Sequence, residues 1–153
     1  MVRLAIFIII CEIAGIIGSI FTTPAITSWY QTLNKPFFTP PSWLFAPVWL
    51  ALYALMGISA YLVYEKGISH KKVRNALIIF AVQLGLNILW SAIFFGLKNP
   101  LWGFVEIVAL WLAILLTIIY FYRVSKPAGL ILVPYILWVT VASALNLFVI
   151  LLN

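Results

Sequence analysis

The polar residues best suited to chemistry lie inside long apolar segments and repeat at helical spacing. Gln83, Asn87 and Ser91 recur every four residues, so they share one face of a helix. Polar side chains are costly in lipid, and those within membrane spans usually turn towards neighbouring helices. This stripe can either join helices through hydrogen bonds or line a small-molecule pocket, and spacing alone leaves both open.

Two further stripes combine aromatic and polar residues. Trp90 borders the first stripe, and Trp49 and Tyr53 lie four residues apart in a preceding segment. The last segment carries a third stripe, formed by Tyr135, Trp138, Ala142 and Asn146. Trp138 falls near mid-membrane, where its indole N–H needs a partner. Facing one another, the three stripes would form an apolar pocket with a few donors and acceptors, which is typical of a small-molecule site.

The sparse reactive residues exclude several kinds of site. Cys11 is the only cysteine and His70 the only histidine, so we predict no intramolecular disulfide and no metal site. Glu12 and Glu106 lie within apolar segments, where a carboxylate is by default a functional candidate. Neither has a cation at helical spacing, so a protonated carboxyl bonded to a neighbouring helix is the alternative. We place neither acid in the predicted site.

Composition indicates which elements must position these residues. Of the 153 residues, 66% are hydrophobic and 8% charged, whereas a soluble domain has roughly 25% charged residues. A membrane span needs about 20 apolar residues, and five segments qualify: 2–21, 44–64, 73–95, 101–122 and 128–152. Their continuous apolar runs favour helices over the alternating strands of a barrel. The sequence therefore predicts an all-α integral membrane protein, with residues 1–153 forming a single bundle of five transmembrane helices.

The charges predict a lipid environment and an orientation. Nine Lys and Arg against three acids give a net charge of +6, and they lie between apolar runs, which favours lipid head groups over nucleic acid as partner. With five spans, one side holds Arg3, Lys66, Lys71, Lys72, Arg74, Arg123 and Lys126, and the other holds Lys35 and Lys98. The positive-inside rule then places the N-terminus in the cytoplasm and the C-terminus outside. For a prokaryotic chain without an Arg- and Ser-rich leader, we expect the plasma membrane.

The first connection, residues 22–43, is long and stiff. Its prolines remove backbone donors and favour extended geometry, so the stretch from Pro36 to Pro41 cannot be helical throughout. It is either a spacer or a lid over the outer mouth of the bundle. The residues of the predicted lid are Pro36, Phe38, Pro40, Pro41 and Trp43. Pro47 and Pro134 lie in or near the first turns of their spans, where proline can kink a helix.

Three motifs, in order along nearly the whole chain, resemble the TspO/MBR family of tryptophan-rich sensory proteins and translocator proteins. The first is Trp29-Tyr30-x-x-Leu33-x-Lys35-Pro36-x-Phe38-x-Pro40-Pro41-x-Trp43-x-Phe45-x-Pro47-Val48-Trp49-x-x-Leu52-Tyr53-x-x-Met56-Gly57. The second is Gln83-Leu84-x-Leu86-Asn87-x-x-Trp90-Ser91-x-x-Phe94-Phe95-Gly96. The third is Pro134-Tyr135-x-x-Trp138, followed by Leu145-Asn146.

The resemblance implies a five-helix bundle, often a homodimer, whose pocket opens towards the first loop and binds porphyrins such as protoporphyrin IX. Animal members also bind cholesterol and benzodiazepine-type ligands. Carried over by motif, the pocket residues are Tyr30, Trp49, Asn87, Trp138 and Ala142, with Trp90, Ser91, Tyr53, Tyr135 and Asn146 beside them. Because these nearly coincide with the stripes, we predict a membrane receptor or sensor for a tetrapyrrole or another hydrophobic small molecule.

Two other functions are alternatives. Some bacterial members of the family degrade protoporphyrin IX in light, and the resemblance would make Trp49 and Trp138 the catalytic residues. A transporter of porphyrins or hydrophobic metabolites is the third hypothesis, although the chain has no nucleotide-binding motif. No cofactor is required in any of these, since the porphyrin is ligand or substrate. The family's sterol motif needs a Tyr followed by a basic residue in the last helix, and the segment from Leu145 to Asn153 has neither.

Overall fold

The five predicted spans are helical. This computed structural model describes all 153 residues and contains no β-strand. Its helices are α1 (Val2–Ile26), α2 (Ser42–Tyr64), α3 (Lys71–Ser91), α4 (Pro100–Val124), α5 (Lys126–Ile131) and α6 (Val133–Leu152). A 3₁₀ turn, Trp29–Thr32, lies in the first loop, and a π-helical turn, Ala92–Gly96, continues α3. With α5 and α6 counted together, five helical segments are long and apolar enough to cross a membrane, which confirms the predicted fold class.

Local sequence signals set the helix ends. Asn99 caps α4, because its Oδ1 accepts a hydrogen bond from the backbone N–H of Trp102 at 3.1 Å. Pro100 follows at the start of α4, where its missing N–H costs no helical bond. Gly67 turns the chain between α2 and α3 with φ at 105°, a conformation that glycine adopts without a steric penalty.

In the region between α2, α3 and α6, the helices meet mainly through their side chains. α3 packs along α4, α1 packs along α2, and α6 packs along α4. α5 lies against α2 and α4, and the Ser59 hydroxyl donates a hydrogen bond to the carbonyl of Ala128 there. In contrast, α6 makes few close backbone approaches to α2 or α3. The space between these three helices is therefore bridged by long side chains, which is where a bundle can open for a ligand.

The two ends of the bundle are distinguished by contacts between distant parts of the chain. At one end, Arg3 and Glu65 form the ion pair of the structure, with 3.6 Å between nitrogen and oxygen. At the other end, Asn34 of the first loop is hydrogen-bonded to Asn153. We call this second end the lid end. The grouping of loops agrees with five spans, and the assignment of either end to the cytoplasm stays a prediction.

Proline has different effects in α1 and in the fifth span. The first loop was predicted to begin at residue 22, with Pro24 as a breaker, but α1 continues to Ile26 with Pro24 inside it. Transmembrane helices tolerate such a proline because only one hydrogen bond is lost. The fifth span, predicted as one helix, is broken at Leu132, between α5 and α6. Pro134 explains this break, because its ring clashes with the carbonyl four residues earlier.

The contact between α1 and α2 depends on a glycine. A Cβ atom at Gly57 would lie 2.5 Å from Cα of Ile8, and this backbone atom cannot turn aside. We predict that Gly57→Ala lowers the free energy of unfolding in detergent by about 1–3 kcal/mol, as overpacking does in other cores. Thermal unfolding followed by circular dichroism measures the change.

Gly85→Ala is the matched control, since a Cβ atom at Gly85 meets nothing within 4 Å. Alanine favours a helix over glycine by roughly 0.5–1 kcal/mol, so this variant should be as stable as the parent or slightly more stable. Equal melting temperatures for the two variants would contradict the close contact of α1 with α2.

Candidate functional site

A chain of four hydrogen-bonded side chains crosses the middle of the bundle. The Tyr53 hydroxyl of α2 donates to Oδ1 of Asn87 on α3. Asn87 Nδ2 donates to the Tyr135 hydroxyl of α6 at 2.7 Å, and this hydroxyl donates to Oε1 of Gln83 at 2.9 Å. All four residues are buried. The three stripes predicted from spacing therefore meet, and the amides act as interhelical links at this level.

A second polar contact lies nearer the lid end. Asn146 Oδ1 accepts a hydrogen bond from Nε1 of Trp90 at 3.2 Å, and its Nδ2 donates to the carbonyl of Pro100 at 2.7 Å. Gly103 makes room for this amide, because a Cβ atom there would lie 3.1 Å from Asn146 Oδ1. Asn146 thus joins α3, α4 and α6 and fixes the indole of Trp90.

Aromatic rings fill the space between these two polar contacts and the first loop. The Trp49 ring lies 5.6 Å from the Tyr53 ring and 6.4 Å from the Tyr135 ring, measured between centroids. Phe45, one turn earlier on α2, meets Trp138 edge-on at 6.0 Å and Tyr30 at 6.4 Å. These edge-to-face and tilted arrangements are the favourable geometries of aromatic pairs. The rings form walls on which a flat apolar molecule could stack.

A small cavity lies beside two of these rings, those of Tyr30 and Phe45. Its free volume is about 30 Å³, and its lining includes Tyr30, Trp90, Ala142 and Asn146 from the predicted site. Pockets for drug-sized ligands usually measure about 300–1,000 Å³, so the cavity is contracted in this structure. A large ligand would have to separate Phe45 and its neighbours.

Trp138 is an indole of the site with an unmet hydrogen-bonding requirement. Its Nε1 is buried and has no acceptor. The indoles of Trp90 and Trp111 differ, because they donate to Asn146 and Thr140 at 3.2 and 2.8 Å. A buried donor left without an acceptor costs about 1–3 kcal/mol. A ligand with an acceptor at this position would remove that cost.

Tyr30 supplies a second group that can donate a hydrogen bond. It is buried on the 3₁₀ turn of the first loop, and burial raises the pKa of its phenol to about 12. The phenol therefore keeps its proton throughout the physiological range. Lys35 holds this turn, since its Nζ donates to the carbonyls of Tyr30 and Leu33 at 2.8 and 3.1 Å.

The two intramembrane acids differ in their surroundings. Glu12 is partly buried on α1. Glu106 on α4 is 7% exposed, and neither of its carboxyl oxygens has a hydrogen-bond partner. The expected bond from Glu106 to a neighbouring helix is therefore not formed. The Nε2 atom of Gln83 is also buried without a partner.

Most residues of the predicted lid cover the lid end of the bundle. Pro36 is buried, and Phe38 packs edge-on against Phe148 of α6 with 5.4 Å between centroids. Pro40 is partly buried, and Pro41 is exposed at the start of α2. Trp43 differs from the prediction, because it lies in the first turn of α2 and is 72% exposed. An exposed tryptophan near the end of a span is typical of anchoring at the lipid interface.

Hydrogen bonds fasten the lid to the end of α6. The backbone N–H of Asn34 donates to Oδ1 of Asn153 at 3.0 Å, and Asn153 Nδ2 donates back to the Asn34 carbonyl at 2.9 Å. A third bond joins Asn34 Nδ2 to the Leu152 carbonyl at 3.3 Å. We call this set of bonds the latch.

Four of the ten predicted pocket residues line the cavity, and five further residues join them. The predicted residues that do not line it are Trp49, Tyr53, Asn87, Ser91, Tyr135 and Trp138. Ser91 lies beside α1, where its Oγ would be 3.3 Å from a Cβ atom on Gly18, so it does not line the cavity. The lining residues that spacing missed are Phe45, Phe94, Phe95, Leu145 and Val149. Phe45 lies one turn before Trp49 and could have been found on that face. Phe94 and Phe95 could also have been found, because they lie four residues after Trp90 and Ser91 and continue that stripe into the π-helical turn.

Together these features define a class: a helical membrane protein with a contracted, aromatic pocket between three helices and beneath a loop. The chain belongs to the TspO/MBR family, whose family model matches residues 7–152. The tryptophan-rich protein TspO of Archaeoglobus fulgidus is 51% identical over 139 residues, which cover 91% of this chain and 89% of that protein. The tryptophan-rich protein TspO of Chlorobaculum tepidum is 47% identical, with 98% and 95% covered. The translocator protein of Bos taurus is 33% identical, with 92% and 83% covered.

The hydrogen-bonded chain through Asn87 makes a testable contribution to stability. Tyr135→Phe leaves Asn87 Nδ2 and Gln83 Oε1 without their shared partner, and both groups stay buried. We expect the free energy of unfolding in detergent to fall by about 1–3 kcal/mol. Tyr122→Phe is the control, because Tyr122 is exposed. Similar losses in both variants would show that the hydroxyl of Tyr135 is not a specific link.

Proposed function

We propose that the protein is a membrane receptor or sensor that binds a tetrapyrrole such as protoporphyrin IX, or another flat hydrophobic molecule, in the pocket beneath the lid. The observation that carries this proposal is the buried, unpartnered indole N–H of Trp138. A site that keeps a donor without an acceptor becomes more stable when a ligand supplies one. The indoles of Trp90 and Trp111 already have acceptors. Trp138 packs against Phe45, which lines the cavity, so a ligand that separates these two rings would reach the indole N–H.

The aromatic rings of the site favour a flat ligand, and its hydrogen-bond donors favour a ligand that carries acceptors. Trp49, Phe45 and Tyr135 present aromatic surfaces, which suit the faces of a conjugated ring system. Trp138 and Tyr30 present donors, which suit a carboxylate, a carbonyl or a ring nitrogen. A tetrapyrrole with propionate groups meets both requirements. Stacking and hydrogen bonds would hold it, so iron in the macrocycle is not needed for binding.

The contracted cavity requires that binding includes a conformational change. A volume of about 30 Å³ admits a water molecule but no tetrapyrrole. The pocket is bordered by α6, which reaches α2 and α3 mainly through side chains, and by a lid that depends on the latch. Release of the latch and separation of Phe45 from Trp138 would open the pocket without unfolding a helix.

The names of the relatives agree with a role at the membrane. Those of Archaeoglobus fulgidus and Chlorobaculum tepidum are called tryptophan-rich proteins, and that of Bos taurus a translocator protein. We favour binding over transport, because the residues of this chain supply a pocket and a lid.

The proposal is tested by titrating the purified protein with iron-free protoporphyrin IX in the dark and following tryptophan fluorescence. We expect saturable quenching, with an affinity reduced about tenfold in Trp138→Phe, since a lost hydrogen bond to a charged acceptor is worth about 1.5–3 kcal/mol. The matched control is Trp102→Phe, because Trp102 is 61% exposed on the outside of α4. Equal affinities for Trp138→Phe and the parent protein would refute the pocket assignment.

Illumination of the same samples distinguishes a receptor from an enzyme that degrades the porphyrin in light. A receptor should leave the absorption spectrum of bound protoporphyrin IX no less stable than in empty detergent micelles. Faster decay with the parent protein, reduced in the double variant Trp49→Phe, Trp138→Phe, would instead identify an enzyme.

The latch is expected to control the rate of ligand exchange. Asn153→Ala removes two of its three bonds, whereas Asn34→Ala removes only the bond to Leu152. We predict that stopped-flow fluorescence finds faster association and dissociation of protoporphyrin IX, with the larger effect in Asn153→Ala. Asn75→Ala is the control, since Asn75 is exposed near the start of α3. Unchanged rates in Asn153→Ala would mean that the ligand enters elsewhere.

A further inference from the structure

A second concavity lies on the outside of the bundle, between the last turns of α1 and the π-helical turn. Its volume is about 310 Å³, and it is open to the surroundings. One wall is formed by Ile20, Phe21 and Pro24 of α1, and the other by Gly96 and Lys98. We call it the outer groove. Phe95 lines both this groove and the cavity of the candidate site, whereas Trp90, Trp138 and Asn146 do not line the groove.

The local backbone shapes the outer groove. The Phe21 ring lies over Gly96, where a Cβ atom would come within 2.9 Å of the ring. Immediately afterwards, Lys98 has φ at 52°, and it is the only non-glycine residue with a positive φ. This left-handed conformation costs an L-residue roughly 1–2 kcal/mol. The chain thus adopts two uncommon backbone conformations in succession, a π-helical turn and a left-handed lysine, at the rim of the groove.

The positive charge of Lys98 at the rim of the outer groove is not paired with an acidic side chain. The chain has three acidic residues, of which Glu65 pairs with Arg3 at the opposite end, and Glu12 and Glu106 lie within helices. Lys98 is exposed and forms no ion pair. The other lysine at the lid end, Lys35, already donates to two backbone carbonyls. Lys98 is therefore the cation at this end that is free to bind an anion.

The position of these features relative to the spans identifies the ligand. Lys98 follows the third span, where lipid head groups lie, and Ile20 lies about two turns below the end of α1. Ile20 is exposed and apolar, as expected for contact with hydrocarbon. A cation above an apolar channel matches a phosphate head group above an acyl chain.

We propose that the outer groove binds one phospholipid, with its phosphate at the ammonium group of Lys98 and an acyl chain along Ile20 and Phe21. The lysine supplies the attraction for the anionic phosphate. The missing side chain at Gly96 lets Phe21 lie flat, so that the chain has a continuous apolar surface. Phe95 lines both the outer groove and the pocket beneath the lid, but Ile20, Phe21 and Lys98 do not line that pocket, so the proposal does not rest on tetrapyrrole binding.

Native mass spectrometry of the detergent-purified protein with phosphatidylglycerol tests the proposal. We expect one tightly retained lipid per chain, with affinity about fivefold weaker in Lys98→Ala, since one lysine near an anionic lipid surface contributes about 1 kcal/mol. Lys98→Arg should retain the lipid. Lys72→Ala is the matched control, because Lys72 is an exposed lysine at the opposite end. Circular dichroism spectra and melting temperatures of all variants check that each is folded.

Two outcomes would overturn the proposal. The first is equal lipid retention in Lys98→Ala and the parent protein, or an equal loss in Lys72→Ala, which would indicate nonspecific attraction by basic residues. The second is displacement of the lipid by glycerol 3-phosphate at comparable concentration. That result would show that the head group alone is recognised and that Ile20 and Phe21 hold no acyl chain.

Discussion

In the hydrocarbon core, a buried polar group must find its hydrogen-bond partner within the protein. Asn87 of α3 provides such partners for α2 and α6. Its side chain accepts a hydrogen bond from Tyr53 and donates one to Tyr135, which in turn donates to Gln83. Without water in the hydrocarbon core, each broken link would leave a group unsatisfied. The level at which α2, α3 and α6 are joined is therefore fixed, and the opening proposed for ligand binding takes place on the lid side of this chain.

In the proposed binding mode, this division would let a rigid bundle bind a large molecule. The hydrogen-bonded chain joins α2, α3 and α6 in the middle of the bundle. On the lid side, aromatic contacts hold the helices together and the latch holds the lid. Aromatic pairs contribute only about 0.5–1.5 kcal/mol each beyond their burial, so a ligand that stacks on the same rings can replace them. In the proposed binding mode, the small cavity and the unpartnered indole of Trp138 are two features of the ligand-free protein.

Much of this arrangement can be predicted from the sequence, because a period of four residues in an apolar segment places side chains on one face. Helical spacing identifies Asn87, Tyr53 and Tyr135, and the family resemblance adds Tyr30. Spacing does not say which neighbouring helix each member of a stripe faces. Ser91 shares the stripe of Gln83 and Asn87 but faces α1, whereas Phe94 and Phe95, four residues after Trp90 and Ser91, line the cavity. The latch also escapes prediction, because its two asparagines are separated by nearly the whole chain.

In the proposed binding mode, the indole N–H of Trp138 is the donor that the ligand satisfies. This role is tested most directly by nuclear magnetic resonance of protein with ¹⁵N-labelled tryptophan in detergent, with the Trp138 indole signal assigned from its loss in Trp138→Phe. On saturation with protoporphyrin IX in the dark, a new hydrogen bond should move this proton signal downfield and slow its exchange with water. Saturable binding that leaves the shift and exchange rate of the Trp138 indole unchanged would contradict this role.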